Sequence, residues 1–206
     1  MASDLTGKTA LVTGGARRIG RETALALARA GANVVVHFRG SESEAGQLVR
    51  ELWEIGVQAW SIQADLAVSR EVDYLIDRVW DLAGPLHILV NNASIFPRND
   101  FFTLTFDDLL ENIKVDAWAP FALGRKFAAR TDTGHIVNFL DTRTVANYDW
   151  THAGYLGSKH LLELFTRMMA VQLAPGIAVN AVAPGLILPP EEKGQASVAY
   201  HRLQTR

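Results

Sequence analysis

Cysteine is absent from this 206-residue chain, which excludes a disulfide framework, a thiolate metal site and a cysteine nucleophile. An excess of positive charge is absent too. The formal net charge is −2 and Lys and Arg are scattered, so the chain carries no electrostatic footprint for nucleic acid. No apolar run approaches the ~20 residues that span a bilayer. The amino terminus, Met1-Ala2-Ser3-Asp4-Leu5, has no basic segment leading into an apolar one, so neither a membrane anchor nor a signal peptide is expected. The expected location is the cytoplasm, and no metal is expected. What remains is 49% hydrophobic and 20% charged, an ordinary globular composition large enough for one well-buried core. We expect a single domain over residues 1–206.

Short apolar runs alternate with amphipathic stretches. The strand-like runs are Thr9–Thr13, Ala32–His37, a weaker Val57–Ser61, Leu86–Val90, His135–Leu140 and Ile177–Val182. Their β-branched content without strict alternation suits strands buried on both faces of a parallel sheet. Helical patterns run from Arg18 to Ala30, Ser43 to Ile55, Ser69 to Ala83, Phe106 to Arg130 and His152 to Ala174. The first three stop at Gly31, Gly56 and Gly84, with Ser69 expected as an N-cap. The fourth is expected to break near Ala119-Pro120, because proline removes a helix hydrogen bond. This alternation predicts an α/β fold, a Rossmann-type doubly wound parallel sheet in three α/β/α layers.

Thr13-Gly14-Gly15-Ala16-Arg17-Arg18-Ile19-Gly20 stands between the first strand and the first helix, the context in which a glycine turn binds a dinucleotide. Gly14 allows the tight turn, Gly20 lets the helix approach the sheet, and the new helix end offers N–H groups to a pyrophosphate. After the second strand the chain reads His37-Phe38-Arg39-Gly40-Ser41, with no acid until Glu42. An acidic residue here would hold a free 2′-hydroxyl, whereas Arg suits a 2′-phosphate. Arg39, Ser41 and Arg17 therefore favour NADP over NAD, although Arg39 equally suits a solvated loop. Asp65-Leu66 after the third strand is placed to meet the adenine. Asn91-Asn92-Ala93-Ser94 after the fourth lies at the sheet edge where ligands of open α/β folds bind. Read alone, both segments are also turn chemistry.

Tyr155 is followed four residues later by Lys159, so on a helix the phenol and ammonium share a face. A phenol titrating near ~10 is a poor acid or base at neutral pH, and a neighbouring cation favours its ionised form. Alone, such a pair is as readily two solvated side chains.

Together, the glycine turn, Asn91-Asn92-Ala93, Tyr155-x-x-x-Lys159 and Pro184-Gly185, in this order and at these separations, resemble the short-chain dehydrogenase/reductase family over most of the chain. Two departures narrow the resemblance. Arg18 stands where most members have Gly, and Asp141, three residues after Asn138, stands where most have a catalytic Ser. Both occur together in the pteridine reductases, which similarly place a Phe three residues after the Ala of the Asn-Asn-Ala motif, as Phe96 is here. The His37 and Ser41 context also resembles that subgroup.

The resemblance implies NADPH as cofactor and Asp141, Tyr155 and Lys159 as the catalytic residues. It implies that the cofactor meets Gly14, Arg17, Arg18, Ile19, Gly20, His37, Phe38, Arg39, Ser41, Asp65, Leu66, Asn91, Ala93, Tyr155, Lys159, Pro184 and Gly185. A pterin-like substrate would meet Arg18, Ser94, Phe96, Asp141 and Tyr155. A flat heteroaromatic ring would stack on Phe96, and Arg18 offers planar donors to pyrophosphate and pterin alike. Phe96 is otherwise a loop aromatic packed on the core, and Asp141 a turn residue ahead of Thr142.

Asp141 lies fourteen residues before Tyr155 and Thr142 thirteen, the family's usual separation. Thr142 is therefore the alternative hydroxyl, with the extra residue otherwise placed around Asn147–Trp150. The family's Asn of the proton relay is here Asp116, in Val115-Asp116-Ala117-Trp118-Ala119-Pro120-Phe121, with Asn112 one turn earlier. Two alternatives stay open: a generic carbonyl or 3-oxoacyl-thioester reductase using Thr142, and a catalytically idle NADP-binding protein. A homotetramer or homodimer is expected. Family members commonly continue for a further strand and helix beyond the position of Arg206, so a fold lacking that last strand and helix is expected; if the protein itself stopped at Arg206, a sheet edge would be left bare.

Overall fold

The computed structural model of the protein describes residues 4–142, 151–185 and 187. The loop around Asn147–Trp150 and the tail from Glu191 lie outside the described residues. The chain runs β1 (Thr9–Val12), α1 (Arg18–Arg29), β2 (Asn33–Phe38), α2 (Glu42–Ile55), β3 (Ala59–Gln63), α3 (Ser69–Ala83) and β4 (Ile88–Asn91). It continues with α4 (Phe106–Asn112), a π-helical stretch (Ile113–Trp118), α5 (Ala119–Ala128), β5 (Gly134–Phe139), α6 (Ala153–Leu173) and β6 (Ile177–Val182).

The six strands form one parallel sheet in the order β3-β2-β1-β4-β5-β6. Successive residues of a strand face opposite sides, so each strand feeds two cores. Ala10, Val12, Val34 and Val36 pack with Ala24, Leu25, Leu48 and Leu52 of α1 and α2. Leu11, Val35, Leu89 and Ile136 pack with Leu75, Ile76, Leu123, Phe127 and Met169 of α3, α5 and α6. Each fully buried Leu or Ile stabilises the fold by roughly 1.5–3 kcal/mol relative to exposure, which is why both faces of the central strands are apolar.

Two local expectations need correction. Val68, not Ser69, is the N-cap of α3, and it makes no side-chain cap. The preceding turn is closed instead by Asp65, whose Oδ1 accepts from the Ala67 amide at 2.9 Å. The long fourth helix is broken earlier than Ala119-Pro120, through the whole stretch Ile113–Trp118. Pro120 has no N–H for the carbonyl one turn back, and the ladder ahead of it widens to the π pattern. A capping box at Thr105 and Asp108 starts this segment, with the Asp108 amide donating to Thr105 Oγ1 at 3.2 Å and the Thr105 amide to Asp108 Oδ2 at 2.9 Å.

Candidate active site

All strands point the same way, so their carboxyl ends share one edge, and the connections leaving β1 and β4 part there at the switch in strand order. The Thr13–Gly20 turn occupies this point. Gly14 has φ 59°, and a Cβ on it would lie 2.9 Å from Ala93 Cα. A Cβ on Gly20 would collide with the Gly14 carbonyl and with Asn92 Nδ2. Both positions need glycine for close approach of backbone to backbone.

The turn is clamped from two sides. Asn92 Nδ2 donates to the carbonyls of Thr13 and Gly14 at 2.9 and 3.0 Å, while Thr13 Oγ1 accepts from the Asn92 and Ala93 amides, each at 3.0 Å. On the other side the Gly14 amide donates to His37 Nδ1 at 3.1 Å. The acceptor role of Nδ1 leaves the proton on Nε2, which donates to the Ala64 carbonyl at 3.0 Å. Burial pushes the His37 pKa down to about 4, so the ring is neutral at ordinary pH. His37, expected beside the cofactor, lines the cleft and also braces the sheet. Both of its nitrogens are spent holding β1, β2 and β3 together, and only its ring borders the cleft.

A cleft of about 300 Å³ opens over this edge, lined by Gly14, Arg17, Phe38, Arg39, Ser41, Asp65, Leu66, Ala93 and Ser94 among others. It runs from the expected adenosine end, at Arg39 and Asp65, to Ala93 and Ser94 after β4. Arg17 and Arg39 are exposed at its mouth, Arg17 with Nε 3.9 Å from Glu44 Oε1. Arg18 is exposed beside it with φ 51°, and Ile19 follows within α1. Asp65 donates its amide to Glu71 Oε2 at 2.6 Å, so with Oδ1 on Ala67 its turn role coexists with its place in the cleft.

Asn91 is buried: its Nδ2 donates to Asn138 Oδ1 at 2.8 Å, and Asn138 Nδ2 to Thr166 Oγ1 at 2.8 Å. That chain ties β4 to β5 and to α6, and makes Asn91 a brace under the site. Pro184 and Gly185 follow β6, where the Pro184 carbonyl accepts from the Thr142 amide at 3.2 Å.

Beyond the cleft, α6 carries Tyr155 and Lys159 one turn apart, both buried. Tyr155 Oη donates to Asp141 Oδ2 at 3.0 Å. Lys159 Nζ donates to the Phe139 carbonyl at 2.7 Å and lies 5.6 Å from the centre of the Tyr155 ring. Burial pushes the ammonium below the usual lysine range, and the carboxylates of Asp116 and Asp141 oppose that shift. The group that meets the phenol is thus the Asp141 carboxylate and not the Thr142 hydroxyl.

Phe96 stands edge-on to Tyr155, with ring centres 4.6 Å apart at 88°, and is 48% exposed. Its ring is stacked on His152 at 3.6 Å and 18°. The His152 ring in turn bonds the Pro97 carbonyl through Nδ1 at 2.8 Å. Sequence reasoning missed His152, Thr13 and Asn92. His152 is the N-cap of α6, three residues before Tyr155, and that nearness in sequence was the available signal. Among the described residues no cluster of three or more His, Cys, Asp or Glu side chains is arranged to hold a metal ion.

Asp116 is fully buried inside the π-helical stretch. Its Oδ1 accepts from the Ile95 amide at 2.9 Å, and its Oδ2 from Asn112 Nδ2 at 2.9 Å and Ser158 Oγ at 3.3 Å. Burial pushes its carboxyl above the usual range, against Lys159 and these hydrogen bonds.

With this geometry in view, the likenesses to known proteins are informative. The family profile of short chain dehydrogenases matches residues 8–197. A 3-oxoacyl-[acyl-carrier-protein] reductase of Staphylococcus epidermidis is 37% identical over 191 residues, 88% of this chain and 75% of that protein. The crystal structure of FolM alternative dihydrofolate reductase 1 from Brucella canis, complexed with NADP, superimposes with TM-score 0.87. It is 32% identical and the match covers 97% of this chain and 79% of the other. A short chain dehydrogenase from Burkholderia cenocepacia, in complex with NADP, gives TM-score 0.85 at 37% identity over 89% of this chain and 76% of that one.

Proposed function

Because this chain belongs to the short-chain dehydrogenase family, and is an NADP-dependent oxidoreductase, we propose that it reduces a C=N bond of a pterin-type ring. The observation that carries this reading is the 3.0 Å bond from Tyr155 Oη to the Asp141 carboxylate, with Phe96 exposed beside it. A carbonyl reductase needs a hydroxyl donor to polarise its oxygen. A carboxylate suits a ring that offers N–H donors and takes a proton on nitrogen.

The residues present fit the dinucleotide. Gly14 and Gly20 let the turn close against Ala93 and Asn92 at the edge of the cleft, and the cleft runs from Ser41 to Ser94. Exposed Arg39 stands after β2 where an NAD-binding acid would be, with exposed Arg17 also lining the cleft. Gly14, Arg17, Arg18, Arg39 and Ser41 would hold its phosphates, and Tyr155 and Lys159 its nicotinamide ribose. When bound, the reduced nicotinamide supplies a hydride to the ring carbon.

Everything else falls to this chain. Phe96, backed by His152, presents a flat apolar face for stacking. Tyr155 carries the proton on Oη and passes it to the ring nitrogen, so that C=N becomes CH–NH with one hydride and one proton. Asp141, released from the phenol, accepts from a ring N–H or amino group. Lys159 favours the tyrosinate left behind and so lowers the barrier to giving the proton up. The cytoplasm as location and a homodimer or homotetramer belong to the same reading. It is supported by the lack of any helix long and apolar enough to cross a membrane among the described residues, and by the exposed Leu164, Met168 and Val171 on α6.

A second reading, reduction of a 3-oxoacyl thioester, is favoured by the 37% identity to the Staphylococcus reductase. NADPH consumption with dihydrobiopterin and dihydrofolate, beside acetoacetyl thioesters and an NADH control, separates the two. Faster turnover of the thioester sinks the pterin reading, and cofactor binding with no turnover of either class leaves an idle NADP-binding protein.

A further inference from the structure

We propose that His152 is a positioning residue: its ring, stacked on Phe96, holds that phenyl at a fixed angle to Tyr155 and so fits the site to flat rings over flexible acyl chains. The inference starts from a residue unusual for its place. An N-cap commonly carries Ser, Thr, Asp or Asn, which bond the first free amides of the helix. His152 is the N-cap of α6 and makes no side-chain cap. Its imidazole is turned to the loop after β4 instead.

Asp116 and Asn112 hold the backbone of that loop at Ile95. The next two residues are met by His152. Its ring lies on Phe96 with centres 3.6 Å apart and planes at 18°, and its Nδ1 bonds the Pro97 carbonyl at 2.8 Å. A carbonyl only accepts, so Nδ1 carries a proton and the bond fixes the rotation of the imidazole. Two residues on, the Asn99 amide donates to the Thr151 carbonyl at 2.8 Å, within a parallel bridge of Asn99 and His152. The loop is thus fastened to the two residues that lead into α6.

This fastening reaches the phenol. The His152 carbonyl accepts from the Leu156 amide at 2.9 Å, so His152 belongs to the same first turn of α6 as Tyr155. Proline at position 97 restricts the Phe96 backbone to extended conformations, which leaves the side-chain torsions as its main freedom. The stack removes that freedom, and the phenyl rests 4.6 Å from the Tyr155 ring at 88°. His152 takes one face of Phe96, so a substrate ring can stack only on the other. A planar ring gains from that face according to its alignment, whereas an acyl chain bends to any rotamer.

The test compares His152→Ala and His152→Phe in the full chain. The side chain caps nothing, so both are expected to fold; should the alanine variant not, His152→Leu takes its place. Stacking is present before and during the reaction, so its loss acts on KM. In His152→Ala the KM for dihydrobiopterin should rise about tenfold, two contacts each being worth several-fold, with kcat changed by less than about threefold. The KM for an acetoacetyl thioester should not follow. His152→Phe, which puts a ring back against Phe96, should recover most of the loss. A wild-type KM for the pterin in His152→Ala overturns the proposal. So does a phenylalanine variant no better than alanine, or an equal rise for the thioester.

These consequences rest on the pterin reading, so a second readout uses no substrate. The Tyr155 ring resonances, from labelled tyrosine and assigned with Tyr155→Phe, feel the ring current of Phe96. His152→Ala should shift them more in the wild-type background than in Phe96→Leu, where there is no phenyl to displace. Equal shifts in the two backgrounds come from the imidazole itself and overturn the proposal. If the wild type turns over no pterin while the Tyr155 shift depends on Phe96, the pterin reading fails and the positioning stands.

Discussion

Arg18 holds a left-handed backbone, φ 51°, the one non-glycine residue at positive φ among those described. For a residue with a Cβ this conformation costs about 1–2 kcal/mol, and such strain persists where the position is used. Glycine would relieve it, against about 0.4–1 kcal/mol of added freedom in the unfolded chain. Arg18→Gly is therefore expected to be neutral or up to about 1 kcal/mol more stable in urea melts, while binding NADPH more weakly. A clear loss of stability would mean that the contacts of the guanidinium outweigh the strain. At Tyr155 the argument is chemical. Tyr155→Phe keeps the ring against Phe96 and removes the proton carrier, so turnover should fall by about 10²–10⁴-fold with NADPH affinity nearly unchanged. Weakened cofactor binding with turnover preserved at saturation would contradict the assignment.

Elements are joined at the site by buried polar side chains, and His37 is the most consequential. It bonds the Gly14 amide at the end of β1 and the Ala64 carbonyl after β3, from its own place in β2. Its folded pKa, about 4, lies below the ordinary 6.5, chiefly through burial, with Arg78 acting in the same direction and the Ala64 bond, Asp65 and Glu71 opposing. The unfolded chain thus binds the proton more readily between those values. Stability is full above about 6.5 and falls as pH drops toward 4, by an amount on the order of 3 kcal/mol. Melts of the wild type between pH 7.5 and 4.5 should show this slope, and His37→Gln should flatten it; parallel curves would assign the acid sensitivity elsewhere. The packing of α1 on the turn is tested by Gly20→Ala. Its methyl meets the Gly14 carbonyl and Asn92, so α1 must move and NADPH affinity should fall steeply in a fluorescence titration. Wild-type affinity in the Gly20→Ala protein would show that the helix has room to shift.

Across the whole molecule, the parallel sheet gathers six strand ends at one edge, and ligand binding there should stabilise the fold by mass action. At a hundredfold excess over Kd the gain is about 2.7 kcal/mol. With no acid between the end of β2 and Glu42 and with exposed arginines 17 and 39 at the cleft, NADPH should raise the melting temperature at concentrations where NADH does not. Equal shifts would remove the argument for a 2′-phosphate site.

Much of this protein is legible in its residues alone. The alternation of apolar runs foretells all six strands, because a strand buried on both faces tolerates little but β-branched and aliphatic residues. Gly14, Gly20, Tyr155 and Lys159 are visible because backbone clearance and helical spacing are local constraints, written in neighbouring residues. Other matters turn on side chains distant in sequence. Asp141 rather than Thr142 meets the phenol because β5 and α6 set their register across a loop. His37 becomes a brace because three strands converge on its ring. The place of the break ahead of Pro120 and the load on Asp116 are hidden for the same reason. A buried polar group takes whatever partner the packing brings within about 3 Å, and only the closed fold decides which that is.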